Sequence, residues 1–175
     1  VIYGRGDITL NSGGNVNADI FCEGNFTSSG RRINGNVYCV GDITITGGDV
    51  YGSLYAKGKI TISNIGGQAG VIYSSSGLHF GGFGLSGIFF SGGDVVILGT
   101  GGPSITGMLI AKNDVTYVNE SWLSINYSQN YIDNVKNDPD NSFFFSGSSS
   151  SGGSGTGGAT PTSDVILSTS ITARG

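Results

Sequence analysis

The chain has 175 residues, 33 of them glycine and only 3 proline, and a formal net charge of −4. Charged residues make up 11% of it, against the roughly 25% usual for soluble domains, and no basic cluster occurs, which argues against a nucleic-acid partner. No apolar run approaches the ~20 residues that a membrane span requires.

From its first residues the chain repeats a nine-residue phrase, Ile-Tyr-Gly-Arg-Gly-Asp-Ile-Thr-Leu from Ile2, at intervals of about 17 residues. Close copies open at Ile20, Val37 and Leu54, and weaker ones at Ile72, Ile88, Leu109 and Val165; the copy at Ile88 carries an extra glycine. Opening within this pattern and without methionine, the sequence reads as a processed or partial chain. A fixed period of this kind marks a stacked solenoid, in which each repeat buries its apolar side only against its neighbours. The predicted fold is all-β: a single-stranded parallel β-helix of seven to eight coils, about 17 residues each. The coils fill residues 1–118, a long irregular insertion occupies 119–164, and a final strand of the same solenoid lies in 165–175.

Alternation at period two assigns the faces of each copy. The first, third, seventh and ninth slots are apolar or small and point inward; the second, sixth and eighth point outward. A glycine at the fifth slot (Gly6, Gly24, Gly41, Gly58) marks the corner between two faces. Cys22 and Cys39 share the third slot of consecutive copies, so stacking places them about 4.8 Å apart, within the range a disulfide spans. The other reading is two small inward residues, since Ala56, Ser74 and Ala111 occupy the same slot.

The eighth slot stacks Thr9, Thr27, Thr44, Thr61, His79, Val96, Thr116 and Thr172. Charges interleaved at the sixth slot (Asp7, Asp42, Lys59, Asp94) argue against a flat ice-binding plane and favour β-branched residues stacked on a strand face. The second slot holds Tyr3, Phe21, Tyr38, Tyr55, Tyr73 and Phe89, then Ile110 and Ile166. Six aromatics in one outward column would bare an apolar stripe near the limit a monomer tolerates. Either the column binds a flat, weakly polar ligand, or another part of the chain covers it.

The insertion supplies a candidate cover. It carries Trp122, Tyr127 and Tyr131, then Phe143, Phe144 and Phe145, and the spacing of Tyr131, Ile132 and Val135 predicts a short helix. From Ser146 to Ser163 the sequence is almost pure Ser, Gly and Thr, a flexible linker by composition. No pair of carboxylates converges as glycoside hydrolysis requires, and the lone His79 has no partner for a metal site. The expectation is therefore a non-catalytic protein with neither cofactor nor metal.

The stretches Gly-Asn-Val-Tyr-Cys-Val-Gly-Asp-Ile-Thr-Ile and Gly-Ser-Leu-Tyr-Ala-Lys-Gly-Lys-Ile-Thr-Ile resemble the coils of bactofilin-type β-helices. They are similar also to the surface β-helix of tapirins, the cellulose-binding, pilus-associated bacterial proteins. The aromatic-rich insertion departs from the uninterrupted bactofilin solenoid and lies closer to the tapirin pattern. That resemblance implies a secreted or surface-displayed bacterial adhesin binding an insoluble polysaccharide such as cellulose. Its ligand-binding residues would be Tyr38, Tyr55, Tyr73 and Phe89, or the insertion aromatics Trp122, Tyr127, Tyr131 and Phe143 to Phe145. The alternative is a structural module of a filament, pilus or envelope layer, self-associating end to end through open coil edges. A polysaccharide lyase or hydrolase is the weaker third reading.

Overall fold

A computed structural model describes residues 1–11, 13–64, 67–82, 84–99, 104–118, 123–137 and 172–173. The first coils comprise β1 (Ile2–Gly4), β2 (Ile8–Leu10), β3 (Asn15–Val16), β4 (Ile20–Cys22), β5 (Phe26–Ile33), β6 (Val37–Cys39) and β7 (Ile43–Val50). The middle of the chain forms β8 (Leu54–Ala56), β9 (Ile60–Ser63), β10 (Gly67–Ser74), β11 (Gly77–Gly81), β12 (Leu85–Ser91) and β13 (Asp94–Leu98). There follow β14 (Ser104–Ala111), β15 (Val115–Val118), β16 (Ser124–Tyr127), the helix α1 (Gln129–Asn137) and β17 (Thr172–Ala173). All strand pairs are parallel, in one sheet ordered β1-β4-β6-β8-β10-β12-β14-β16 and a second ordered β17-β15-β13-β11-β9-β7-β5-β2. The chain is a parallel β-solenoid with ~18 residues per turn, and successive turns add one strand to each sheet.

The inward slots build the core as the alternation predicts. Ile20, Val37, Leu54 and Ile72 from the first sheet meet Phe26, Ile43, Ile60 and Leu78 from the second, all buried. Each lies directly over its counterpart in the neighbouring coil. The eighth-slot residues keep the expected register, Thr9 to Thr27 to Thr44 to Thr61, and Thr116 pairs with Thr172 across the long insertion.

Two chains of side-chain hydrogen bonds tie the corners, and they revise the reading of the sixth slot as a plain outward charge column. The Asp7 carboxylate accepts from the Asn25 amide at 2.7 Å, Asn25 Oδ1 from the Asp42 amide at 2.9 Å, and Asp42 from the Lys59 amide at 2.7 Å. At another corner Asp19 serves Asn36, Asn36 serves Ser53, and Ser53 Oγ serves Val71. Strand pairing leaves a corner amide without a ladder partner, and a short acceptor one coil below satisfies it. The fifth-slot glycines make room for this: a Cβ at Gly41 would lie 2.6 Å from the Gly24 carbonyl oxygen, and one at Gly58 2.6 Å from that of Gly41.

One open alternative resolves and one expectation fails. Cys22 and Cys39 are stacked partners but both thiols are free. Each donates to corner carbonyls, Cys39 Sγ to Gly24 O at 3.0 Å and Cys22 Sγ to Asn25 O at 3.2 Å, as the Ser74 hydroxyl donates to Gly58 O at 2.7 Å. The third slot thus holds small inward residues, and where they carry a thiol or hydroxyl it donates to a corner carbonyl rather than forming a bridge. Phe89, expected outward, is fully buried and packs edge-on against Phe80 at 5.2 Å between centroids. The strand register pairs Ile72 with Phe89 and Tyr73 with Phe90, so the sixth copy opens at Phe89 and its apparent extra glycine vanishes.

Candidate functional site

With the register corrected, the outward column on the first sheet runs Tyr3, Phe21, Tyr38, Tyr55, Tyr73, Phe90, Ile110. Ile166 lies outside the described residues. The column is treated differently at its two ends. Toward β12 and β14 the outer face gains a second apolar row, Val71, Ile88 and Met108, and α1 packs on it. Ile132 of α1 is buried there in one cluster with Tyr55, Val71 and Ile88, against which Tyr38, Tyr73 and Phe90 also pack. The helix forms where the Tyr131, Ile132, Val135 spacing predicts it, and part of the insertion does cover part of the aromatic face.

Toward β1 no described residue covers the face. Exposure falls along the column from 60% at Tyr3 and 38% at Phe21 to 8% at Tyr55. The rings stack on one another: Phe21 and Tyr38 have centroids 4.8 Å apart with planes 11° from parallel, and Tyr38 and Tyr55 are 4.9 Å apart at 17°. Beside them runs an apolar groove of about 580 Å³ that spans the coils from Tyr3 to Tyr73, with Glu23, Val40 and Lys57 on its opposite rim. Third-slot residues Cys22, Cys39 and Ala56 form its floor. At the open end the Tyr3 hydroxyl donates to the Glu23 carboxylate, and that bond raises the phenol's pKa above its ordinary value.

Tyr38, Tyr55 and Tyr73 are therefore brought together on one groove, and Phe89 is not among them. Phe21 and Tyr3 join the site; their period-17 position marks them in the sequence. Tyr127 is exposed and hydrogen-bonds Gln129, but it stands opposite Gly107 and so lies off the column. Tyr131 lies on α1, and Trp122 and Phe143 to Phe145 fall outside the described residues. The segment read as insertion also returns a strand to the first sheet, since β16 pairs with β14.

The chemistry of reactive groups points elsewhere. Burial, with the neighbouring Cys22 adding to it, pushes the Cys39 thiol up to about 11 from an ordinary 9.0, which keeps it protonated and unreactive. His79 faces outward on β11; burial and then Lys59 lower its pKa, against the pull of Asp94. Among the described residues no group of three or more His, Cys, Asp or Glu is placed to hold a metal ion, and no helix is long and apolar enough to cross a membrane. No known family model, characterised protein or solved structure matches this chain.

Proposed function

We propose that the protein is a non-catalytic, surface-displayed or secreted adhesin that binds an insoluble β-1,4-linked polysaccharide, cellulose in the first instance, through the open half of its aromatic column. The groove beside Tyr3, Phe21, Tyr38, Tyr55 and Tyr73 is the observation that carries this reading. Its volume lies in the range of ordinary ligand sites, roughly 300–1,000 Å³, and its apolar lining suits the C–H-rich surface of a pyranose chain. Its repeat of 4.8–4.9 Å between rings is close to the advance of one sugar along such a chain. The resemblance of the coils to those of tapirins supports the same assignment.

The test is depletion of the purified chain from solution by regenerated amorphous and microcrystalline cellulose, with xylan and chitin alongside. Cellulose is expected to deplete it selectively, and replacing both exposed ring residues, Tyr3→Ala with Phe21→Ala, to weaken adsorption while the solenoid still unfolds cooperatively. No depletion on any of these matrices refutes the assignment.

A further inference from the structure

The geometry of the groove narrows the ligand further, on the footing of the polysaccharide reading above. We infer that it takes one neutral glycan chain lengthwise, and that it is not a platform for the flat face of a crystal. The first ground is ring orientation. Phe21, Tyr38 and Tyr55 lie within 11° and 17° of parallel at 4.8 and 4.9 Å, so the rings turn their flat faces to one another up the column. What they offer the groove is a wall of ring edges. A crystal face needs the opposite, rings set side by side with their faces outward.

The second ground is shape. The ring wall stands across from Glu23, Val40 and Lys57, and the space between them is concave, about 580 Å³. Over five stacked coils it runs about 19 Å at the usual strand spacing. A single chain a few sugars long fits lengthwise into such a strip; an extended plane rests on its rims and leaves the apolar lining unused. Binding would then bury the lining against the sugar C–H surface, which is where the free energy of association lies.

The third ground is charge. The groove is lined by one acid, Glu23, and one base, Lys57, and the Glu23 carboxylate already accepts from Tyr3. Recognition of a polyuronate or other polyanion relies on repeated charge-assisted bonds from Arg or Lys. Here one lysine faces the groove and the chain carries a net −4. A neutral chain meets no such mismatch.

The experiment uses the full chain adsorbed to regenerated amorphous cellulose and to microcrystalline cellulose, challenged with soluble cellohexaose or with hexagalacturonate. Cellohexaose is expected to lower the adsorbed fraction on amorphous cellulose by at least about tenfold at saturation, and hexagalacturonate to leave it unchanged. Val40→Trp fills the groove from its rim, at a side chain that is 50% exposed, and is expected to abolish adsorption with an unchanged melting temperature. Adsorption that cellohexaose does not release, or equal release by both oligosaccharides, overturns the single-chain inference and leaves the polysaccharide reading standing. Failure to adsorb to either cellulose refutes that reading, and the inference with it.

Discussion

If the aromatic column is a true stack, its rings should couple only to their immediate neighbours, and the couplings can be measured. The informative substitution is Tyr38→Leu, which keeps an apolar side chain and removes the ring. Tyr38 stacks on Phe21 at 4.8 Å and on Tyr55 at 4.9 Å, and each aromatic pair is worth roughly 0.5–1.5 kcal/mol beyond area burial. Tyr38→Leu should therefore cost about 1–3 kcal/mol, and Phe21→Leu, which removes the single Phe21–Tyr38 stack, about 0.5–1.5 kcal/mol. In a double-mutant cycle Phe21 and Tyr38 should couple by about 0.5–1.5 kcal/mol. Phe21 and Tyr55, two rungs and roughly 10 Å apart, should add independently to within about 0.5 kcal/mol. Urea unfolding followed by circular dichroism measures all of these, provided the slope with denaturant is unchanged across the set. Equal coupling for the adjacent and the separated pair, or a Tyr38 cost no greater than that of Phe21, would show that the rings are not acting as a stack.

Two further outcomes test the corners and the thiols. Gly58→Ala should destabilise the solenoid by about 1–3 kcal/mol in thermal or urea unfolding, because its Cβ would lie 2.6 Å from the Gly41 carbonyl oxygen and against the Asp42 carboxylate. Gly6→Ala, where a Cβ meets nothing within 4 Å, should stay within about 0.5 kcal/mol of the parent. For Cys39, the folded thiol at about 11 lies above its ordinary 9.0, so the folded state holds the proton where the unfolded chain releases it. Stability should be unaffected below pH 9 and should fall as the pH rises from 9 toward 11. A stability–pH profile should lose part of that fall in Cys39→Ala, a residue already native to this slot at Ala56; identical profiles would show that the thiol is not the group responsible.

Much of the fold was legible because identical slots repeat at a fixed period. Ile20, Val37, Leu54 and Ile72 name the core column, and Thr44 over Thr61 names the register, before any coordinates. What the pattern could not settle is physical in origin. At Ile88-Phe89-Phe90 three large apolar residues run together, so alternation has no polar residue to fix its phase. The register is decided instead by Ser91, whose hydroxyl donates to the Asp94 carbonyl at 3.0 Å, as a third-slot residue should. The irregularity between Gln68 and Val71 in the preceding coil adds to the ambiguity. Asp7, Asn25 and Asp42 looked like solvent-facing polar residues because their hydrogen bonds go to the coil above, a contact that periodicity within one strand does not encode. Ring orientation lies beyond sequence altogether: a column of Tyr and Phe is compatible with faces outward or faces together, and the strand spacing alone permits both.

The distinction between a structural stack and a binding surface rests on how the chain treats one face at its two ends. A solenoid must stack whatever occupies the second slot, so stacked rings alone say nothing of a ligand. Beyond Tyr55, however, the same face acquires Val71, Ile88 and Met108 and is closed by α1 through Ile132. Before it, the equivalent positions are Asp19, Asn36 and Ser53, whose side chains are engaged in satisfying corner amides, and they offer no apolar bed for a cover. The rings of Tyr3, Phe21 and Tyr38 are left with a groove beside them. Where this sequence covers the column it supplies both the helix and the apolar row beneath it; over the first three coils it supplies aromatic residues without that row. Exposing these rings forgoes hydrophobic stabilisation that a few more apolar residues at positions 19, 36 and 53 would have recovered, and the polysaccharide proposed for the groove would restore it.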